Sequence, residues 1–235
     1  MYKEKKILAI IPARGGSKGI PKKNIINLLG KPLLYYSIKC AKESKYIDKI
    51  IISTDDIEIT KIAKNLGEPV PFLRPKKLST DKSKSIETVI HVIEELKKKN
   101  ENYDYIVLLQ NTSPLRQSWH VDEAIENLLE SNERDLISIS EVTEHPILMK
   151  TINKNNLANS LIKTNEDMRR QDFPPIYIVN GAIYIQKNDI NLNLNTNLNG
   201  GRLTYLMEHK YSVDIDEYLD LEIATHYLKN NLKNS

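Results

Sequence analysis

The sequence is poor in cysteine, in long apolar runs and in net charge, and each lack excludes a class of protein. Its single cysteine, Cys40, cannot form a disulfide within the chain, and no cluster of cysteine and histidine has the spacing of a zinc site. The longest apolar run, residues 7–13, is too short to cross a bilayer. Acidic and basic residues precede this run and no small-residue cleavage site follows it, so it indicates a buried strand and not a signal peptide. We therefore expect a cytoplasmic protein with no membrane partner.

The charged residues do not indicate a partner of nucleic-acid type. The formal net charge is +3, with both signs mixed along the chain, which is too small an excess to predict nucleic-acid binding. Hydrophobic residues make up 40% and charged residues 28% of the sequence, a balance typical of a globular chain and not of a disordered one. The 235 residues suffice for one sizeable domain, so we expect residues 1–235 to form a single domain.

Strand and helix patterns alternate along the first 140 residues. Short apolar or β-branched runs predict strands, and apolar residues at helical spacing predict helices between them. Such alternation is typical of an α/β fold, here a Rossmann-like, mostly parallel sheet with helices on both faces. The predicted strands are 7–13, 49–54, 105–109 and 135–140, and the predicted helices are 33–44, 57–66, 85–99 and 121–129.

The pattern changes after residue 140. Residues 143–180 contain no convincing long helix, so we interpret them as an insertion that leaves the sheet and returns to it. A predicted strand at 181–186 follows, and then an asparagine- and leucine-rich stretch at 188–201. The chain ends with a predicted strand at 211–215 and a predicted helix at 218–229.

A glycine-rich, basic loop at residues 14–24 follows the first predicted strand. Open α/β sheets bind ligands at the carboxyl ends of their strands, which is where this loop begins. Its glycines let backbone N–H groups approach an anion closely, and Arg14, Lys18 and Lys23 supply positive charge. The loop is not a P-loop, because no Gly-Lys-Ser/Thr closes it, and its glycine spacing differs from the dinucleotide fingerprint. A triphosphate is the predicted ligand.

Two carboxylates near the end of the chain predict a metal site. Asp214 and Asp216 are separated by one apolar residue at the end of the predicted strand 211–215, and residues two apart in a strand share a face. Both can then reach one hard cation, and Mg²⁺ takes one or two carboxylates together with phosphate oxygens and water. The alternative is a solvent-exposed acidic turn before the last helix. We expect Glu217 to lie outside the site and Asp220 to lie on the outer face of that helix.

The motif Arg-Gly-Gly-Ser-Lys-Gly-Ile-Pro-x-Lys-Asn at residues 14–24 resembles that of the acylneuraminate cytidylyltransferases, also called CMP-sialic acid synthetases. This family includes relatives that act on legionaminic and pseudaminic acids. The resemblance continues in chain order through residues 108–116, 180–184 and 214–216. It implies transfer of CMP from CTP to a nine-carbon 2-keto-3-deoxy sugar acid, with release of pyrophosphate, Mg²⁺ as cofactor and a homodimer.

The resemblance also implies residue roles. Arg74, read without the family, would be a surface arginine, and Ser85 would be the N-cap of the helix that follows. The implied catalytic residues are Arg14, Lys23, Asp214 and Asp216, with the last two as metal ligands, and the further nucleotide-binding residues are Gly16, Ser17, Lys18, Asn24, Arg74 and Ser85. The implied sugar-binding residues are Gln110, Asn180 and Tyr184, joined by Lys150 and Arg170 acting on the partner subunit's pocket from the insertion.

The sugar and the activity itself have alternatives. Sialic-acid members of the family can carry an aromatic pair near the acyl group of the sugar, whereas residues 195–201 contain no aromatic residue, which favours another nonulosonic acid such as legionaminic acid. A CMP-Kdo synthetase, a sugar-1-phosphate nucleotidyltransferase and a non-catalytic nucleotide-binding protein are the competing interpretations. None of the five histidines stands out as a catalytic group, and no residue is assigned as general base. For the loop that contains Ser113 and Arg116 we expect a positioning role and not direct chemistry, although Pro114 could equally mark a structural turn.

Overall fold

The computed structural model describes residues 2–162 and 169–231, and its centre is a six-stranded mixed sheet. Four apolar runs form strands within one residue of where they were predicted. The strands of the chain are β1 (Ile7–Pro12), β2 (Asn27–Leu28), β3 (Lys31–Pro32), β4 (Lys49–Ser53), β5 (Tyr105–Leu108), β6 (Asp135–Glu141), β7 (Lys150–Ile152), β8 (Ala158–Ser160), β9 (Tyr177–Lys187) and β10 (Leu203–Leu206).

Helices cover both faces of this sheet, as the sequence predicted. Side chains of α1, α2 and α4 pack into one apolar cluster, while α3 packs into a second cluster on the opposite face. The helices are α1 (Leu33–Glu43), α2 (Ile57–Asn65), α3 (Ser85–Lys97), α4 (Ser118–Glu130) and α5 (Tyr218–Asn231).

The first strand shows why its run is uniformly apolar. Successive side chains of a strand point to opposite faces, so a strand covered by helices on both sides needs apolar residues throughout. Ile7, Ala9 and Ile11 pack in the cluster of α1, α2 and α4, and Leu8 and Ile10 pack in the cluster of α3. All five residues are fully buried. Burial of each isoleucine or leucine side chain among them contributes about 1.5–3 kcal/mol to folding.

The order of strands in the sheet is β10-β6-β9-β5-β1-β4. Strand β1 pairs in parallel with β4 and β5, and β10 pairs in parallel with β6. Strand β9 runs antiparallel between β5 and β6, so the predicted mostly parallel sheet is confirmed with one reversed strand. The carboxyl ends of β1, β4 and β5 therefore meet at one edge, where the chain continues into the loops that carry the predicted site.

The prediction of a strand at residues 211–215 is wrong. A short 3₁₀ helix spans His209–Tyr211, and the next residues are irregular. The edge of the sheet next to β6 is occupied instead by β10, which the sequence analysis did not predict. Ile215 forms a backbone bond to Thr112 and packs in a third apolar cluster with residues from the glycine-rich loop and α5, so its burial does not come from the sheet.

The insertion leaves and re-enters the sheet where β6 and β9 pair. Glu141 at the end of β6 lies opposite Tyr177 at the start of β9, so β9 includes the last four residues of the predicted insertion. Strands β7 and β8 form a separate two-stranded hairpin whose residues are all exposed. Residues 163–168 lie outside the described part of the chain. In that described part, no helix is both long and apolar enough to cross a membrane.

Candidate active site

A pocket of about 550 Å³ opens at the carboxyl edge of the sheet. This volume is in the usual range for sites that hold a small molecule. Its walls come from the glycine-rich loop after β1, the segment before α3, the loop after β5, the middle of β9 and the segment before α5. The predicted residues on the wall are Arg14, Gly16, Ser17, Lys18, Lys23, Asn24, Arg74, Ser85, Gln110, Asn180, Tyr184, Asp214 and Asp216.

Three cations of the glycine-rich loop face carboxylates in this pocket. Arg14 Nη2 lies 2.8 Å from Asp81 Oδ1, and Lys18 Nζ lies 3.3 Å from Asp81 Oδ2. Lys23 Nζ donates to Asp216 Oδ1 and to the carbonyl oxygen of Ile215, both at 2.8 Å. The loop therefore brings its positive charge to the pocket and also to the predicted metal-binding segment.

Two glycines of the loop allow close approach of other chain segments. A Cβ on Gly19 would lie 2.4 Å from the backbone oxygen of Asp216, and a Cβ on Gly15 would lie 2.5 Å from the Asp56 carboxylate. The N–H of Gly15 also donates to Asp55 Oδ1 at 3.1 Å. Because no side chain fits at these positions, glycine there permits the loop to pack against the residues after β4 and against Asp216.

An amide network fixes the base of the loop. Asn24 is 9% exposed, and its Nδ2 donates to the carbonyl oxygen of Arg14 at 2.8 Å. Asn111, which follows β5, donates from Nδ2 to Asn24 Oδ1 at 2.9 Å. The Asn24 side chain is thus used to position the loop. Sequence reasoning quoted Asn111 within a motif but assigned it no role.

Arg74 is buried, so the interpretation as a surface arginine is wrong. It is 5% exposed and donates to Thr88 Oγ1 at 2.8 Å and to Ser79 Oγ at 3.0 Å. Burial lowers the pKa of its guanidinium, with the positive charge of Arg14 acting in the same direction and Asp55 opposing it. Among the residues that the structure describes, no carboxylate pairs with Arg74, and a buried cation of this kind at the wall of a pocket is suited to an anionic or electron-rich ligand group.

Ser85 is not the N-cap of its helix. The N-cap is Lys84, whose backbone N–H donates to Glu87 Oε2 at 2.8 Å, and Ser85 is the first residue of α3. The alternative reading of Ser85 as a capping residue is therefore wrong by one position. Its side chain lines the pocket at the positive end of a 13-residue helix, which favours contact with a negatively charged ligand group.

A bulge in β9 shapes the wall opposite the glycine-rich loop. Between β6 and β9 the register shifts from Ile137 opposite Tyr184 to Ile139 opposite Val179. Ser138 fills the bulge, donating from Oγ to Asn180 Oδ1 and accepting from the N–H of Ile183. The bulge turns residues 180–181 toward the pocket.

The predicted sugar-contacting residues differ in what their side chains do. Asn180 accepts from Ser138 and from the N–H of Ala182 and donates to Ser212, so its amide is engaged within the protein. Tyr184 and Gln110 interact with each other, and burial raises the pKa of the Tyr184 phenol. Gln110 and Tyr184 thus form a polar part of the pocket wall, while the Asn180 side chain stabilises the bulge of β9.

Arg116 fixes the position of the loop after β5. It is 2% exposed, and its Nη1 donates to the carbonyl oxygens of Gln110 at 3.0 Å and Ala182 at 2.7 Å. Its Nη2 donates to Ser37 Oγ at 2.9 Å. The guanidinium therefore ties the residue that follows β5 to the bulge of β9 and to α1.

The two acidic residues both line the pocket, although not because they share a strand. They lie in an irregular segment in which the N–H of Ile215 donates a hydrogen bond to the carbonyl oxygen of Thr112 at 2.8 Å. The Thr112 side chain also donates a hydrogen bond to Asp214. Reduced contact with water raises the pKa of Asp214, and the charge of Asp216 raises it further. Asp220 is not a free outer residue, because its carboxylate accepts from the N–H groups of Asp216 and Glu217 at 2.8 Å.

The donor set at this segment fits a hard divalent cation. Asp214 forms no ion pair with any residue in 2–162 or 169–231, and a cation bound beside it would favour the charged form of its carboxylate. Asp216 pairs with Lys23. Over the same described ranges, no group of three or more histidine, cysteine or acidic side chains is arranged to hold a metal. A cation bound here would take two protein carboxylates, and its other ligands would be phosphate oxygens and water.

Of the two predicted residues of the insertion, Lys150 does not line the pocket of its own chain. Lys150 is exposed on β7, and its Nζ donates to Ser160 Oγ at 2.8 Å. The backbone of Arg170 begins a short 3₁₀ helix, and its side chain lies outside the described part of the structure. Their predicted role in a partner subunit's pocket stays a prediction.

A second pocket of about 460 Å³ continues from the first past Gln110 and Tyr184. It shares Ser83, Lys84 and Ser85 with the first pocket. Its outer wall is residues 194–199, from the asparagine- and leucine-rich stretch. This wall offers amide and hydroxyl groups and the exposed Leu194, and no aromatic ring.

Sequence reasoning missed Asp55, Asp81 and Thr112. Asp55 directly follows β4, so the rule that ligand-side residues follow parallel strands could have found it. Thr112 lies inside a motif whose neighbours were singled out. Asp81 lies in a polar loop with no distinguishing pattern, and only the fold brings it to Arg14 and Lys18.

A sequence model of the cytidylyltransferase family matches residues 8–223 of the chain. The N-acylneuraminate cytidylyltransferase of Streptococcus agalactiae serotype V is 37% identical over 90% of this chain and 50% of its own length. The pseudaminic acid cytidylyltransferase of Campylobacter jejuni is 36% identical over 96% of this chain and 97% of its own. The CMP-N,N'-diacetyllegionaminic acid synthase of Legionella pneumophila is 36% identical over 77% of each chain.

A solved structure shares the fold. The structure of a CMP:2-keto-3-deoxy-manno-octonic acid synthetase complexed with CTP aligns with a TM-score of 0.72 and 16% identity, over 96% of this chain and 99% of that one. At this identity the likeness concerns the fold alone. The chain spans about half the length of the Streptococcus agalactiae relative.

Proposed function

The chain belongs to the cytidylyltransferase family, and from this premise we propose that it transfers CMP from CTP to a nonulosonic acid and releases pyrophosphate. The observation that carries the proposal is one pocket lined by both the basic glycine-rich loop and the Asp214/Asp216 pair. Gln110 and Tyr184 line this pocket and also the second pocket beside it. Such an arrangement provides a triphosphate side, a metal-binding segment and an acceptor side.

The nucleotide is assigned to the side formed by the glycine-rich loop and α3. Arg14, Lys18 and Lys23 would contact the phosphates, since cations and backbone N–H groups bind phosphate oxygens. Arg74 is suited to the base, being held in place by Thr88 and Ser79. Ser85 would contact the nucleotide from the N-terminus of α3.

The sugar acid is assigned to the side formed by Gln110, Tyr184 and the second pocket. Residues 194–199 offer amide side chains where an extra acylamino group would need hydrogen-bond partners. This favours a nonulosonic acid with two acylamino groups, of the legionaminic or pseudaminic type, over N-acetylneuraminic acid. The exposed hairpin β7–β8 fits a homodimer in which Lys150 and Arg170 supply cations to the partner subunit's sugar carboxylate.

The reaction needs positioning and charge neutralisation more than a covalent intermediate. The anomeric hydroxyl of the sugar attacks the α-phosphorus of CTP, a new oxygen–phosphorus bond forms, and the bond to the bridging oxygen of pyrophosphate breaks. Arg14 and Lys23 would offset charge that builds on the phosphate oxygens. Asp214 and Asp216 would hold Mg²⁺, which when bound acts as a Lewis acid on the phosphate oxygens. The attacking hydroxyl loses its proton to a base that we leave unassigned.

Pyrophosphate release tests the proposal. With CTP, Mg²⁺ and a nonulosonic acid, we expect release that falls by at least about 100-fold in Asp216→Ala. Glu217→Gln is the matched control, since Glu217 is the adjacent acid and does not line the pocket, and it should retain activity. Tight CTP binding without release, for any acid supplied, would favour a nucleotide-binding protein without transferase activity.

A further inference from the structure

Asp81 is an acidic side chain that reaches two cations of the glycine-rich loop from the segment before α3. One carboxylate oxygen contacts Arg14 at 2.8 Å and the other contacts Lys18 at 3.3 Å. Within residues 2–162 and 169–231, its side chain has no other polar partner. Asp81 therefore lies in the wall of the pocket, held by two side chains that the proposed function assigns to phosphate groups.

The charge state of Asp81 agrees with this geometry. Partial loss of water would raise the pKa of its carboxyl, but the hydrogen bonds and charges of Lys18 and Arg14 outweigh that effect and hold the pKa below its usual range. The group is thus an anion at neutral pH. A carboxylate with two oxygens bound to two cations reproduces what a phosphate group would do at the same place.

The segment that carries Asp81 is a self-contained turn. Thr80 and Ser83 hydrogen-bond to each other through their side chains, and Ser83 Oγ also donates to the carbonyl oxygen of Lys77 at 3.2 Å. The turn is tied to the rest of the site through Ser79, which accepts from Arg74. Breaking the two ion pairs of Asp81 would free its side chain from the pocket without breaking any bond within the turn.

We propose that Asp81 is a tethered competitor for the triphosphate, occupying Arg14 and Lys18 until a polyphosphate displaces it. The proposal rests on the proposed function, because it takes the glycine-rich loop to be the triphosphate site. Each binding event exchanges a carboxylate for a phosphate on the same two cations. The exchange weakens nucleotide binding, and it also assists release of pyrophosphate, because the carboxylate returns as the product leaves.

Binding of inorganic tripolyphosphate and of CTP, measured by calorimetry, tests the exchange. Asp81→Asn keeps the shape of the side chain and removes its charge, and we expect both ligands to bind roughly three- to tenfold more tightly. Glu58→Gln is the matched control. Glu58 pairs with Lys22 beside the same loop but does not line the pocket, so its neutralisation should change affinity by less than about twofold.

Two results would overturn the exchange. Unchanged or weaker binding in Asp81→Asn would mean that Asp81 does not compete with phosphate. Equal tightening in both variants would mean that a general loss of negative charge, and not release of Arg14 and Lys18, governs affinity. Tripolyphosphate has no base or sugar, so its comparison stays informative even if the wild-type chain shows no transfer of CMP, which is how failure of the proposed function would appear.

Discussion

The two sides of the pocket are stabilised in different ways. On the nucleotide side, hydrogen bonds join distant parts of the chain. They run from Asn111 to Asn24, from Lys23 to Ile215 and from Arg116 to Ala182. The outer wall of the sugar side, residues 194–199, is held mainly by bonds within a few residues of one another. Local turns can change without disturbing the sheet, so the choice of sugar can vary while the nucleotide side stays the same.

The largest expected effect is on stability, at the closest contact of the nucleotide side. Gly19→Ala would place a Cβ 2.4 Å from the backbone oxygen of Asp216, so the two segments must separate. We expect a loss of about 1–3 kcal/mol in the free energy of unfolding, measured by urea denaturation. Gly16→Ala is the matched control, because its Cβ would meet nothing within 4 Å. Equal losses in both variants would contradict the proposed packing.

A second prediction concerns pH and the same scaffold. His120 is 1% exposed and accepts from the N–H of Gln117, at the end of the loop after β5. Burial and the charge of Arg116 lower its pKa to about 4. In the unfolded chain the imidazole takes up a proton near pH 6.5, whereas in the folded chain it does so only near pH 4. The stability that neutral His120 contributes is therefore complete above pH 6.5 and is lost as the pH falls toward 4.

Because of His120, the free energy of unfolding should therefore fall by about 2 kcal/mol between pH 7.5 and pH 5. Chemical denaturation at the two pH values measures it. His120→Gln should reduce the difference by that amount, while His226→Gln, on the exposed face of α5, should leave it unchanged. An unaltered difference in His120→Gln would show that this imidazole is not buried in its neutral form.

The smallest expected effect is on the sugar side. Asn195→Ala removes an amide from the wall of the second pocket, and we expect the KM of the sugar acid to rise about three- to tenfold with the KM of CTP unchanged. Steady-state kinetics with each substrate varied separately measures both. Asn191 lies in the same stretch but outside the pocket wall, so Asn191→Ala should change neither KM. A rise in the KM of CTP in Asn195→Ala would contradict the separation of the two sides.

The sheet could be predicted from the sequence because its strands give local signals, whereas most residues of the nucleotide side were implied only by the family resemblance. Continuous apolar runs such as β5 indicate buried strands, and polar or glycine-rich residues directly after them indicate the ligand edge. Asp214 and Asp216 both line the pocket, although the strand assigned to them does not exist, and their role as metal ligands stays a prediction. What aligns them is the bond from Ile215 to Thr112, a contact across more than 100 residues that no local pattern predicts.

Other features could be identified only once the fold was known. The burial of Arg74 depends on Ser79 and Thr88, and the position of Asp81 depends on Arg14 and Lys18, so neither is visible in a linear pattern. Strand β10 was missed because it follows an asparagine-rich stretch and only two of its four residues, Leu203 and Tyr205, pack into the core.

The central claim is CMP transfer to a nonulosonic acid, and direct detection of the product tests it. The protein would be incubated with CTP, Mg²⁺ and one of four acids: N-acetylneuraminic, legionaminic, pseudaminic or Kdo, with products identified by mass spectrometry. We expect a CMP-linked nine-carbon sugar, with a legionaminic- or pseudaminic-type acid preferred over N-acetylneuraminic acid. A CMP-linked product from Kdo alone, or none from any of the four, would contradict it.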